Sequence, residues 1–176
     1  VEAWGSSHVE AWGDVFIRLF SALKITASAN VVIMRHGKCK SISGGIKIEA
    51  TVIKSARDWC AYYGVNVVRG IATLYKAVNN EFTTDRGTDY SPGTKPEAKD
   101  WDGGEQECGK GLHFSPSPAA AKFFFGGATK FIACPIKVDE IAVHPKGQYP
   151  QKVKARAVSK PCYEVDIYGN PIKVSS

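Results

Sequence analysis

The chain has 176 residues, 44% hydrophobic and 23% charged, which is the balance of a folded water-soluble protein and excludes a disordered one. Its apolar stretches are broken by Lys, Arg or Gly every few residues, so no segment approaches the roughly 20 apolar residues of a membrane span, and the N-terminus lacks the basic-then-apolar order of a signal peptide. The net charge of +6 is densest from Arg35 to Lys40 and from Lys152 to Lys160, and it permits nucleic-acid binding without indicating it.

The first element is an internal repeat. Val1-Glu2-Ala3-Trp4-Gly5 recurs as Val9-Glu10-Ala11-Trp12-Gly13, and the same spacing carries on after the identity fades. Val1, Val9, Ile17, Ile25 and Ile33 share one register. Ala3, Ala11, Leu19 and Ala27 share another, and Ser7, Val15, Leu23, Val31 and Cys39 a third. Gly5, Gly13, Ser21, Ala29 and Gly37 hold a place where every residue is small. Apolar alternation is the period of a strand, and an even repeat keeps the same side chains inward in each copy. Octapeptides stacked this way make a β-solenoid, expected here with two octads per coil and favoured over an antiparallel meander. Trp4, Trp12 and Phe20 share an outward place and are expected to stack as a ladder. Val1 falls in the middle of a repeat, so the chain reads as a fragment or a processed form. An open coil there implies self-association through residues 1 to about 20.

Ile46, Ile48, Ala50 and Val52 alternate as one more strand, closing a repeat segment of residues 1–52. Ser55-Ala56-Arg57-Asp58 has the spacing of a capping box, so residues 53–64 read as a linking helix ending at Gly64. Residues 65–176 read as a compact globular part. Val67-Val68 and Ile71 to Val78 are expected strands, and Thr83 to Gly104 a long polar loop of the kind that often carries function. Gly111 to Phe114 reads as a strand. Ser117-Pro118 caps a helix from Ala119 to Phe125. Strands follow at Thr129 to Val138, Glu140 to His144, Val153 to Val158 and Tyr163 to Ile167. The fold class expected is mainly β, with a compact α+β domain after the solenoid.

The stretch Gly109-Lys110-Gly111-Leu112-His113-Phe114-Ser115-Pro116-Ser117-Pro118 pairs a glycine-flanked strand with a tightly capped helix. It resembles the second motif of ADP-ribosyltransferases of the diphtheria-toxin and poly-ADP-ribose-polymerase type, where the strand's aromatic packs on nicotinamide. Leu74-Tyr75-Lys76-Ala77 falls where that family has its first NAD-holding strand, and Tyr163-Glu164-Val165 where it has a late glutamate. The resemblance implies NAD as cofactor, with Lys76, Tyr75, His113 and Ser115 binding it. It also implies His113 and Glu164 as catalytic residues, Glu164 stabilising the oxocarbenium-like state. Lys76 stands for the usual His or Arg, and His113 for the usual Tyr.

The chain as a whole resembles uncharacterised proteins of actinobacteria and their phages, built from tandem Ala-Trp-Gly-Ser-Ser-His-Val-Glu repeats and a globular domain. Ala3 to Glu10, Trp59 to Gly64, Trp101 to Pro118 and Tyr149 to Ala155 carry this likeness. It implies a phage-related protein in the bacterial host cytoplasm. It chooses no mechanism, so a ligand-binding protein with ADP-ribosyl transfer stands beside a non-enzymatic interaction module. Five cysteines, Cys39, Cys60, Cys108, Cys134 and Cys162, without secretion signals read as reduced thiols. Cys108, His113, Cys134, Cys162 and His144 are zinc-ligand types, but no Cys-x-x-Cys pair is present, so buried apolar thiols are the preferred reading. Cys108, close to His113, is the candidate among them for a nucleophile. Asp100, Asp102, Glu105 and Glu107 around Trp101 read as a solvated loop.

Overall fold

A computed structural model of the chain describes residues 1–49 and 52–172; Ala50, expected in the last repeat strand, lies outside them. Strand makes up 38% of the chain and helix 9%, so the fold is mainly β. The chain divides into two compact units, Val1–Val52 and Ile53–Ser176.

The first unit holds strands β1 (Glu2–Ala3), β2 (His8–Ala11), β3 (Phe16–Leu19), β4 (Ala22–Ala27), β5 (Val32–Arg35), β6 (Cys39–Ser43) and β7 (Ile46–Glu49). Odd-numbered strands form one sheet and even-numbered strands the other, all paired in parallel. This is a β-solenoid of about 3 turns. Glu2 faces Arg18 and forms an ion pair with it across a separation of 16 residues, the length of one coil. Between the sheets, Ile17, Leu19, Ile25, Val31 and Ile33 have no exposed surface, and Val9, Val15 and Ile42 pack against them. Gly37 lies so close to the coil beside it that a Cβ there would come within 1.8 Å of the Phe20 carbonyl oxygen.

The aromatic ladder differs from expectation. Trp4 stacks on Phe20 at 4.1 Å, and Phe20 on His36 at 4.9 Å, while Trp12 stands apart and is exposed. Stacking follows the full coil. Residues half a coil apart sit beside different sheets, so Trp12 cannot join Trp4. Leu23 is also exposed, because β4 enters its sheet with Ala22 inward and strict alternation breaks at that corner.

The second unit opens with α1 (Ala56–Tyr62). The Ser55 hydroxyl accepts from the Asp58 N–H, and the Asp58 carboxylate accepts from the Ser55 N–H, the reciprocal box that satisfies a helix start. Trp59 of α1 is fully buried in this unit's core and donates from Nε1 to the Pro150 carbonyl at 2.8 Å. A tight turn through Arg69 and Gly70, both at positive φ, joins β8 (Val67–Val68) to β9 (Ile71–Val78). After the long loop come β10 (Leu112–Phe114), α2 (Pro118–Phe123), β11 (Lys130–Lys137), a 3-10 turn at Val138–Glu140, β12 (Ile141–Val143), β13 (Val153–Ala155) and β14 (Tyr163–Val165).

These strands form two antiparallel sheets, in the orders β14-β11-β9-β8 and β10-β13-β12. The long paired strands β9 and β11 turn Ala72, Leu74 and Val78 inward with Ile132, Cys134 and Ile136. Two backbone hydrogen bonds between Tyr75 and Ser115, of 2.9 and 3.0 Å, lace the sheets together at β9 and the end of β10. That lacing places the candidate site.

Candidate functional site

Lys76 falls in the inward row of β9, between Leu74 and Val78. Its stem runs under β10, and Nζ donates to the His113 carbonyl at 3.0 Å and lies 5.7 Å from the Tyr90 ring centre. A cation in an apolar row is costly, and here a cleft receives it. The cleft opens between β9, β10, the start of the long loop and the end of α2. One part is lined by Tyr75, Lys76, His113, Ser115 and Phe124 among others. An adjoining part shares Lys76, His113, Phe124 and Lys152 and adds Arg86, Tyr90 and Cys108. Ser117 fixes the α2 wall by accepting from the Ala120 N–H, with Pro118 in the first turn.

Four of the five expected site residues, Tyr75, Lys76, His113 and Ser115, therefore share one cleft. Glu164 is not among the described residues that line it. Glu164 sits opposite Ile132, which sits opposite Lys76, so one whole strand separates them, about 10 Å across the sheet.

The electrostatics are one-sided. Among the described residues that line the cleft, Lys76, Arg86 and Lys152 face the single carboxylate of Asp85. Arg86 donates to the Gly109 carbonyl at 2.8 Å. Lys152 has Nζ 2.8 Å from Cys108 Sγ and 5.0 Å from the Tyr149 ring centre. Burial pulls Lys76 down to about 8, Arg86 and Lys152 adding in the same direction against Cys134 and Asp85. Burial also pulls His113 down to about 4, helped by Lys76, Lys152, Lys154 and Arg86, so the imidazole is neutral at pH 7. Its Nε2 is buried with no hydrogen-bond partner among the described residues.

Sequence reasoning missed Arg86, Lys152 and Phe124. The period of two in Lys152-Val153-Lys154-Ala155 was the available signal, since it sets both lysines on one side of a strand. The acidic stretch also proved structural rather than merely solvated. Asp102 takes the fully buried Lys154 ammonium at 2.9 Å on both oxygens, Asp100 accepts from the Gly111 N–H, and Glu107 from the Gln148 N–H. Of these contacts, the Asp100 hydrogen bond holds a residue that lines the cleft, Gly111.

No group of three or more His, Cys, Asp or Glu side chains among the described residues could hold a metal ion. No helix among them is long and apolar enough to cross a membrane. No family model, curated protein or solved structure matches the chain.

Proposed function

We propose that the second unit is an α+β ligand-binding domain that takes an anionic ligand carrying a flat ring, a nucleotide such as NAD, in the cleft of Lys76 and His113. The observation that carries this reading is the unbalanced set of Lys76, Arg86 and Lys152 beside the rings of Tyr90 and Phe124. Cations of this kind attract phosphate oxygens, and aromatic walls hold a base or nicotinamide. In this reading Tyr75 and Ser115 shape the wall, and the neutral His113 offers its unpartnered ring nitrogen to the ligand. ADP-ribosyl transfer has less support than binding, because it needs a carboxylate near the departing nicotinamide and Glu164 lies outside the cleft. The likeness to phage and actinobacterial proteins points to a bacterial host cytoplasm, with the octapeptide solenoid self-associating.

The test is calorimetry with NAD, ADP-ribose and nicotinamide at low and high salt, followed by nicotinamide release. Saturable binding of NAD and ADP-ribose that weakens with salt and with Lys152→Met supports the reading. Nicotinamide release abolished by Glu164→Gln would show cleavage of NAD that depends on Glu164, and ADP-ribose attached to an acceptor, read by mass, would distinguish transfer from hydrolysis. Absence of binding by all three compounds refutes the reading and leaves a non-enzymatic interaction module. That second reading is favoured by one observation, the exposure of Trp4, Trp12 and Phe16 on the solenoid.

A further inference from the structure

β14 runs antiparallel beside β11, with Ile132 opposite Glu164 and Ala133 opposite Tyr163. One further step of that register sets Cys134 opposite Cys162. Cys162 gives both backbone groups to the long loop, donating to the Thr94 carbonyl at 2.8 Å and accepting from the Gly93 N–H at 2.9 Å. With those groups engaged there, Cys134 and Cys162 form the closely spaced, non-hydrogen-bonded kind of cross-strand pair. Its Cα atoms are about 4.5 Å apart, within the span a disulfide requires. The two sulfurs are already in contact at 3.7 Å. Both are free thiols, 0% and 2% exposed, so only a small oxidant reaches them. The exposed Cys108 has the Lys152 ammonium against it instead of a second sulfur.

We propose that Cys134 and Cys162 are a redox-active dithiol site, oxidised by hydrogen peroxide to an intramolecular disulfide and restored by small thiols. The two sulfurs have different roles. The hydrogen bond with Cys134 holds the Cys162 thiol below its ordinary pKa, with Thr94 assisting, while burial pushes the Cys134 thiol well up. Cys162 is therefore the attacking thiolate. Its sulfur bonds one peroxide oxygen, the O–O bond breaks, and hydroxide leaves and takes up a proton. Cys134 then attacks the sulfenic sulfur. The S–S bond forms, the S–O bond breaks, and water departs with the Cys134 proton. Two thiols lose two electrons and two protons, and one peroxide becomes two waters. The disulfide ties β11 to the segment Gly93-Thr94 through Cys162, and so fixes the loop that carries Tyr90.

The site is independent of the ligand reading, and its test needs no ligand. Wild-type protein is treated with hydrogen peroxide, alkylated in denaturant and digested, and peptides are mapped by mass with and without dithiothreitol. The expected result is loss of two of the five thiols, a crosslink joining the peptides of Cys134 and Cys162, and its reversal by dithiothreitol. Cys60→Ala should leave the crosslink intact. Five alkylated thiols after peroxide, a crosslink through any other cysteine, or over-oxidation of Cys162 without a crosslink would overturn the proposal.

Discussion

Ile25 gives the sharpest test of the solenoid. It lies in β4 between Val9 of β2 and Ile42 of β6, with no exposed surface. Burying an isoleucine contributes about 1.5–3 kcal/mol. Ile25→Ala removes most of that and leaves a cavity. The neighbouring coils are held at fixed spacing by their backbone hydrogen bonds and cannot close over it, so the expected cost is about 3 kcal/mol. For a unit as small as Val1–Val52 that corresponds to a fall of about 10 °C or more in Tm. Ile25→Asp adds an unpaired buried charge and is expected to unfold the unit. The control is Leu23→Asp, two residues away but 40% exposed, with an expected cost under about 0.5 kcal/mol. Urea and thermal unfolding followed by far-UV circular dichroism and tryptophan emission provide the measurement. Trp4 and Trp12 report on the solenoid, and the buried Trp59 on the second unit. An Ile25→Ala cost below about 1 kcal/mol, or equal costs for aspartate at 23 and 25, would refute the inward stacking.

Gly37→Ala drives a Cβ against the Phe20 carbonyl, whereas at Gly13 nothing lies within 4 Å and only the positive φ of 77° opposes a side chain. Gly13→Ala is expected to cost about 1 kcal/mol and Gly37→Ala several times as much, read from urea midpoints; equal shifts would mean the coils do not meet there. His113 is neutral in the fold and held down at about 4, below its ordinary 6.5. The unfolded chain therefore binds the extra proton first, and stability is full above pH 6.5 and declines as pH falls toward 4. His113→Gln should flatten urea-derived stability over that window, and an unchanged slope would place the ring in water.

The parts legible in the sequence were those governed by local rules. The inward places of Ile17, Ile25 and Ile33 follow from a period of two. The cap at Ser55 with Asp58 and the Ser117-Pro118 start follow from the orphan N–H groups of a helix. Lys76 and His113 stand out in the sequence by resemblance alone, and the structure brings them to one cleft. What escaped depends on distant partners. Asp102 and Lys154 meet across 52 residues, and no window of sequence shows that a solvated-looking acid will hold a buried cation. Trp12 falls outside the ladder because a spacing of eight marks identity of type, while the fold stacks at twice that distance. Sequence order sets Glu164 where the motif would have it, but only strand order, with β11 between β14 and β9, decides its distance from Lys76.

The coil of the solenoid works as a unit of length. Where partners lie 16 residues apart, as Glu2 and Arg18 do, each coil repeats the contacts of the one before. Genetic slippage that adds or removes a whole coil would therefore lengthen or shorten the stack without rewriting a single interior contact, whereas a one-residue slip would turn a strand inside out. The later coils have already departed from this measure. Arg35 and Glu49 pair at a separation of 14, and Ala22 faces Cys39, one residue beyond a coil. Those unequal turns are absorbed at corners such as Gly44-Gly45, where a Cβ on Gly44 would meet the Ala27 carbonyl at 1.9 Å. The segment thus grades from an interchangeable module near β1 and β3 to a fixed piece near β6 and β7, and its tolerance of inherited length change should fall along the same direction.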